Sequence, residues 1–431
     1  LTRTLINIDR INIRPGEVRT VTESTTTGVG WTAAETAARL GVKPETLYAY
    51  VSRGQLSRRR SANGSVFDPI EVERFAAGRR RSTADRPAVV IRDGRPSGGP
   101  LMTIDTDVAL IEDDALYYRG RSATELAGGA RFETVCHWLW TGDFDEGVGF
   151  TPLPGAVDAV RRVLAALPDG ASLAERLQVM VPVVAGLDPL REVLAPESVA
   201  VRTGALLATL ARGLDGRSVS GPSIADHLLG ALSPADHDQR LVDVVNAALV
   251  LLVDHDLAAS TMAARTAASA RAHPYAVVLS GLGALDSALH GNASRAAYRM
   301  LSRVMAGEDA GAVITGTLTS GRAGVPGFGH RIYRTADPRA ELIFELLSDL
   351  PGAGSAREAA AAVTTIVAGR GAMFRNVDLA LAALASATGM PEDGGEVIFG
   401  IARIGGWIAH AIDEYQQTPL RLRPVGRYVG P

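Results

Sequence analysis

Gly327-Phe328-Gly329-His330-Arg331-Ile332-Tyr333 sets an imidazole and a guanidinium side by side behind two glycines. The glycines let the backbone turn sharply and approach a ligand closely. His330 can give or take a proton near neutral pH. Arg331 can hold a carboxylate with two parallel hydrogen bonds. A carboxylate held beside a proton donor is what a reaction on an oxo acid requires. Whether this stretch belongs to a site depends on what the rest of the chain supplies.

The chain has 431 residues, room for two or three domains. It is apolar at 46% but only 5% aromatic, so its core must be built of Ala, Leu and Val. Such segments favour helix. Lys43 is the one lysine. Cys136 is the one cysteine and excludes an intrachain disulfide, which fits a reducing compartment. Its neighbours Val135, Trp138 and Leu139 predict a buried, inert thiol. No apolar run reaches the roughly 20 residues that span a bilayer, and no signal peptide is read at the start. The expectation is a soluble cytoplasmic protein with no membrane partner. Charge is uneven: residues 1–95 carry a net of +7 and the remainder −10. That asymmetry predicts two modules with different partners.

Residues 1–29 show no clear period and read as a lead-in. Thr32-Ala33-Ala34-Glu35 is a capping box that opens a helix, with Ala33, Ala37 and Leu40 on its buried stripe and Gly41 at its end. A second helix starts near Pro44. Asn63-Gly64 between two short extended runs signals a hairpin, and another helix follows Asp68-Pro69. Residues 30–78 thus resemble a winged helix-turn-helix of the MerR and excisionase type. The resemblance implies that Lys43, Glu45, Thr46 and Tyr48 face a major groove, with Arg58, Arg59 and Arg60 on phosphates. A docking or oligomerisation piece with a solvated basic face is the alternative, and DNA binding is the less favoured of the two.

Residues 79–100, rich in Arg, Pro, Gly and Ser, read as a linker. A second module, 101–431, begins with strands at Thr103–Leu110 and Ala115–Tyr118. It continues as helices broken by Gly and Pro. His137, His227 and His237 read as surface or satisfied core histidines, and no group has metal-ligand spacing. Four later stretches stand out. Asp254-His255-Asp256 follows an apolar run; an aspartate there is either the cap of a helix over 257–272 or a neighbour that fixes the tautomer of His255. Gly281–Gly291 reads as an apolar helix ending at His290, whose last carbonyls would orient the imidazole. The opening stretch is the third, with Asp337-Pro338-Arg339 as the helix start behind it. Asn376-Val377-Asp378 leads an Ala-rich helix, and Asp378 can be a cap or a base.

These stretches resemble the signatures of citrate synthases, in the family's order and at similar spacing. Asp254-His255, Ala288–Gly291, Pro326–Tyr333 with Asp337-Pro338-Arg339, Asn376–Asp378 and Phe399-Gly400-Ile401-Ala402-Arg403 with Gly406-Trp407 carry the likeness. Ile111–Gly142 resembles the family's amino-terminal part, and Arg423-Pro424 with Tyr428-Val429-Gly430 its end. The resemblance implies a mainly α fold of a large and a small helical domain. The small one, roughly 292–400, would be inserted in the large one and close over the substrates. It implies a homodimer and a condensation of acetyl-CoA with oxaloacetate, with hydrolysis of citryl-CoA to citrate. No cofactor or metal is implied. His290, His330 and Asp378 would be catalytic, with Asp378 the base. His255, Arg331, Arg403 and Arg423 would hold oxaloacetate, with Arg423 from the other subunit. Gly327, Phe328 and Gly329 would contact coenzyme A. Phe399 would lie by the condensing pair.

The sequence departs from the family at His290-Gly291-Asn292-Ala293-Ser294-Arg295, where Ser294 replaces an Asn and Arg295 adds charge. Leu379 replaces the aromatic or polar residue often found after the aspartate. These changes bear on substrate choice. Propionyl-CoA, giving 2-methylcitrate, or another acyl and oxo-acid pair remains an alternative. So do a DNA-binding regulator with a citrate synthase-like sensor body and an inactive homologue.

Overall fold

The computed structural model describes residues 30–61, 64–84, 103–214, 221–235, 238–287, 290–291, 293–319, 324–371, 373–426, 428 and 430. The lead-in, Asn63, Asn292 and most of the 79–100 linker lie outside the described residues.

The first unit runs β1 (Trp31–Thr32), α1 (Ala33–Leu40), α2 (Pro44–Ser52), β2 (Arg59–Ser61), β3 (Gly64–Phe67) and α3 (Pro69–Ala84). Thr32 and Glu35 form the predicted capping box, and Gly41 closes α1 at φ 61°. β2 and β3 pair antiparallel with Ser61 opposite Gly64, and β1 adds to the other edge of β3. α3 continues to Ala84, into the stretch read as linker.

The second unit opens with β4 (Ala109–Glu112), β5 (Ala115–Tyr118) and β6 (Arg121–Ser122), an antiparallel meander. The first strand is shorter than predicted: residues 103–108 form no strand. Helices α4 (Ala123–Gly129), α5 (Phe132–Thr141), α6 (Ala156–Leu164), α7 (Leu173–Leu187), α8 (Pro196–Gly213), α9 (Ile224–Leu232) and α10 (Gln239–Leu252) follow. Then come α11 (Ala259–Ser269), α12 (Pro274–Leu285), α13 (Ala293–Met305), α14 (Ala310–Thr319), α15 (Pro338–Ser348), α16 (Gly354–Ala368), α17 (Val377–Thr388) and α18 (Gly394–Tyr415).

α18 is the axis. Its side chains are buried almost from end to end, and α5, α7, α8, α10, α11 and α12 pack around it. A helix buried all round must be apolar all round; the buried residues of this one depart from that rule at Glu396, Arg403, His410 and Glu414. Gly281 lets α12 approach, since a Cβ there would lie 2.6 Å from the Trp407 ring. Gly281 therefore serves packing within the chain, whereas a Cβ at Gly283 would meet nothing within 4 Å. α13, α14, α16 and α17 form a second cluster, with α15 bridging it to α10. Cys136 is fully buried, and burial pushes its thiol up. Among the described residues no helix is long and apolar enough to cross a membrane.

Candidate active site

The first half of the site hangs on the end of α10. Apolar residues from Ala247 to Val253 bury this end completely, so its open carbonyls need partners. The buried Tyr118 hydroxyl donates to the carbonyls of Val250 and Leu251, each at 3.0 Å. Gly406 on α18 donates its N–H to Val253 O at 3.1 Å, and a Cβ at Gly406 would sit 2.3 Å from that oxygen. The chain is thereby pinned as it turns through Asp254-His255-Asp256. Neither aspartate caps α11; the cap position is Ala258. Asp254 is fully buried and faces α18 instead.

There it joins a buried polar chain. His410 Nδ1 lies 2.9 Å from Arg265 Nη1. Arginine can only donate, so Nδ1 accepts, and the neutral ring carries its proton on Nε2. That nitrogen donates to Asp254 Oδ2 at 3.2 Å. Arg265 also bonds Glu414 at 3.1 Å, and Arg421 holds the same carboxylate with two bonds of 2.8 and 2.6 Å. Arg403 stands at the other end, 3.9 Å from Asp254 Oδ1. It is 1% exposed, and its Nε and Nη1 have no hydrogen-bond partner among the described residues. Burying a guanidinium without partners is costly. Three arginines against two carboxylates leave this chain one positive charge in excess, at the end where Arg403 lies. An anionic ligand would satisfy both conditions.

His255 is not oriented by Asp254. Its Nε2 lies 3.1 Å from the hydroxyl of Tyr333, and burial with Arg339 and Arg403 nearby pushes it well below the usual imidazole range.

The second half of the site is two loops laced together. Gly329 N–H donates to Phe374 O at 2.8 Å, Asn376 N–H to Gly327 O at 2.9 Å, and Asn376 Nδ2 to Gly329 O at 2.9 Å. Gly327 adopts φ 81°, and a Cβ there would lie 2.7 Å from Leu379 Cβ. Glycine at 327 is therefore required for packing on the first turn of α17. This also explains Leu379, which is fully buried. Asn376 caps α17, which leaves Asp378 free of capping duty. Burial raises the Asp378 carboxyl from 3.8 to about 6, against a lowering by Arg339.

His330 Nδ1 accepts from the N–H groups of Ile332 at 3.0 Å and Tyr333 at 3.1 Å. Its proton is therefore on Nε2. Burial, with Arg339 nearby, lowers it to about 4, so the ring is neutral at working pH. The rings of His330, His255 and Tyr333 form a cluster, with centroids 4.7 to 5.3 Å apart.

Arg331 does not face this cluster; it is exposed. The buried cation beside the histidines is Arg339, 3% exposed. Its Nε and Nη2 each lie 2.9 Å from a carboxylate oxygen of Asp337. Asp337 caps α15 and also accepts from Val377 N–H at 3.0 Å, which locks the starts of α15 and α17 together. The sequence reading took Asp337-Pro338-Arg339 as a helix start and as part of the family likeness, and gave Arg339 no role in the site. The missed signal was an arginine at the second position of a helix whose capping residue is acidic.

His290 is not at a helix end. α12 stops at Leu285, and His290 sits in the turn beyond it. Its Nε2 lies 2.7 Å from Ser260 Oγ, on the first turn of α11. Nothing in the sequence singled out Ser260. Burial, with Arg403 nearby, lowers His290 to about 4. Phe399 stands between His290 and Arg403, edge-on to the imidazole with centroids 6.2 Å apart and its ring 4.9 Å from the guanidinium. Ser294 is buried against Gly395, and Arg295 pairs with Glu396. Arg423 is exposed in the segment after α18, which Leu420 N–H ties to Ser269 O at 2.8 Å.

The fold and this arrangement define a class: mainly helical enzymes with acid–base groups on loops between two helical clusters. A structure of citrate synthase from Thermoplasma acidophilum, a ternary complex with carboxymethyl coenzyme A and oxaloacetate, has the same fold. The TM-score is 0.63 at 23% identity, covering 77% of this chain and 94% of that one. The family model described as citrate synthase, C-terminal domain, matches residues 100–425. The chain belongs to the citrate synthase family. Citrate synthase 2 of Bacillus subtilis is 28% identical over 348 residues, 76% of this chain and 93% of the relative. The 2-methylcitrate synthase of Mycobacterium tuberculosis is 27% identical over 400 residues, 84% of this chain and 97% of the relative.

Proposed function

We propose that this chain condenses acetyl-CoA with oxaloacetate and hydrolyses the resulting citryl-CoA to citrate and CoA. One observation carries the reading: the buried Arg339 acts on the Asp378 carboxyl, raised to about 6 by burial, and on the neutral rings of His255 and His330, while Arg403 keeps Nε and Nη1 without hydrogen-bond partners among the described residues. Asp378, ionised above about pH 6, takes a proton from the acetyl methyl group. His290 donates a hydrogen bond to the thioester oxygen as charge builds there. The methylene carbon forms the new bond to the ketone carbon of oxaloacetate. His330 Nε2–H holds the ketone oxygen and gives up its proton as the alkoxide forms. Two backbone N–H groups on Nδ1 favour the anionic ring that results. Water then adds at the thioester carbon, the C–S bond breaks, and the thiolate takes up a proton.

Arg403 and His255 hold the oxo acid from one side, and Arg339 supports it from the other through Nη1, the nitrogen not engaged by Asp337. Arg331 stays at the rim. Gly327, Phe328 and Gly329 contact coenzyme A in this reading, on the strength of the family likeness of their stretch. Arg423 reaches a site only in a homodimer, as the partner's contribution, and sedimentation would test that state. The domain that closes is the cluster α13 to α17.

Release of free thiol from acetyl-CoA or propionyl-CoA with oxaloacetate tests the activity and ranks the two acyl groups. No thiol release with any 2-oxo acid would overturn it. The 2-methylcitrate alternative is kept because relatives named for either product are about equally similar to this chain.

The winged helix-turn-helix reading of the first unit is supported by its order of elements. Lys43 and Arg58 to Arg60 are exposed, Thr46 is half-buried, and Arg58 lies 5.8 Å from the Tyr48 ring. DNA binding ranks second because this unit is seated on the catalytic body. Salt-dependent affinity for duplex DNA tests it.

A further inference from the structure

The first unit lies outside the family match, yet it is joined to the catalytic loops at both of their far ends. On one side, Trp31 Nε1 donates to Thr319 Oγ1 at 3.1 Å, at the end of α14. Gly324 donates its N–H to Glu73 Oε2 at 3.0 Å. Glu73, on α3, is 2% exposed and also pairs with Arg39. Gly324 is six positions before His330. On the other side, Asp68 pairs with Arg370 at 3.4 Å. The Arg74 side chain lies against Gly371, where a Cβ would come within 2.7 Å of its Cδ. Gly371 is seven positions before Asp378.

The two loops that leave these anchors are the ones laced together by Gly329–Phe374 and Asn376–Gly327. One rigid helix, α3, therefore touches the start of both. A buried carboxylate that accepts a backbone N–H and pairs with an arginine makes a strong, directional tie. Such a tie is unusual under a loop unless the loop's position matters.

We propose that the first unit is a positioning element of the reaction: Glu73 holds the loop that carries His330 in register with the loop that carries Asp378. The inference rests on the catalytic roles proposed above for those two residues. It predicts a larger effect on chemistry than on oxo-acid binding, because His255 and Arg403 are held by α10 and α18, away from α3, and only the ketone contact of His330 lies on the tied stretch. Misplacing reacting groups by about 1 Å costs up to roughly 100-fold in rate, and a partial loosening costs less.

The test uses the full chain with Glu73→Gln, which keeps the shape and one acceptor but removes the charge. Trp31→Phe, which removes only the indole donor, serves as a second variant should the first fail to fold. The expected result for Glu73→Gln is a kcat about three- to tenfold lower, with KM for oxaloacetate within about twofold. Amide hydrogen exchange should quicken in both 324–330 and 373–378. Trp31→Phe should shift both readouts in the same direction by less. Unchanged exchange in either loop, or an unchanged kcat in a folded variant, would overturn the proposal. A wild-type chain that releases no thiol would sink the enzyme reading instead, while exchange would still report the tie.

Discussion

Asp254, Arg403 and His410 sit at the ends and flanks of buried helices, linked side chain to side chain. His330 and Asp378 sit on loops, linked backbone to backbone through Gly327, Gly329, Phe374 and Asn376. The first half keeps an excess positive charge out of water. The second keeps its histidine neutral and its carboxyl hard to ionise. A charged, rigid half suits binding a dianion, since a preformed guanidinium costs no reorganisation when the ligand arrives. A neutral, desolvated half suits proton transfer, since groups poised near the working pH move protons with least penalty. The division of labour follows from what each scaffold can hold. Helices fix side-chain networks, whereas laced loops bring backbone N–H groups to an imidazole nitrogen.

Breaking the second half should cost the most. Asp378→Asn is expected to lower kcat by about 10²- to 10⁴-fold, the usual worth of a positioned base. Oxaloacetate affinity, read by calorimetry, should stay within a few-fold. Equal loss of both would erase the distinction between the halves.

The next largest effect separates two arginines that lie eight positions apart. Arg339→Met leaves Asp337 buried and unpaired, so denaturant titration should show a loss of about 3–5 kcal/mol. Arg331→Ala, at an exposed position, should stay within about 0.5 kcal/mol. Similar losses for the two would mean that Arg339 is not the one built into the site.

The pH profile should sharpen the contrast further. Turnover should fall about tenfold per unit below pH 6 as Asp378 protonates, while His290 and His330, lowered to about 4, stay neutral. The stability contribution has the opposite sense. The folded carboxyl holds its proton more tightly than the unfolded one, so this group's contribution declines as pH rises from 3.8 to about 6. Asp378→Asn should flatten that slope in a melting series, and a steeper slope would contradict the raised carboxyl.

The smallest effect probes the first half. Glutamine at position 410 can accept from Arg265 and donate to Asp254, as the neutral ring does. His410→Gln should therefore change KM for oxaloacetate by less than about threefold. His410→Phe, which orphans both partners, should cost about 1–3 kcal/mol of stability. A large KM change in the glutamine variant would mean that the shape of the ring, and not its hydrogen-bond pattern, matters.

Much of the fold was legible. The capping boxes at Thr32 and Ser172, proline at the first turns of α2, α8 and α15, and glycines past α1, α5 and α17 mark helix ends by local chemistry. Asp378, His290, His330 and Arg403 were legible as a set because their stretches resemble a family. Arg339 and Ser260 were not, because a guanidinium and a hydroxyl near helix starts look local until burial is known. The end of α12 was misplaced because apolar residues continue past Leu285, and only the turn at Asp286 stops the helix.

The sequence by itself determined the helical character, most helix starts and stops, and the residue types the reaction needs, since these depend on neighbours within a turn or two. Tertiary structure alone decided which arginine is buried, which tautomer His330 and His410 hold, and that Glu73 reaches Gly324 across 251 positions. Those outcomes depend on desolvation and on partners far along the chain. Neither quantity exists until the helices have packed.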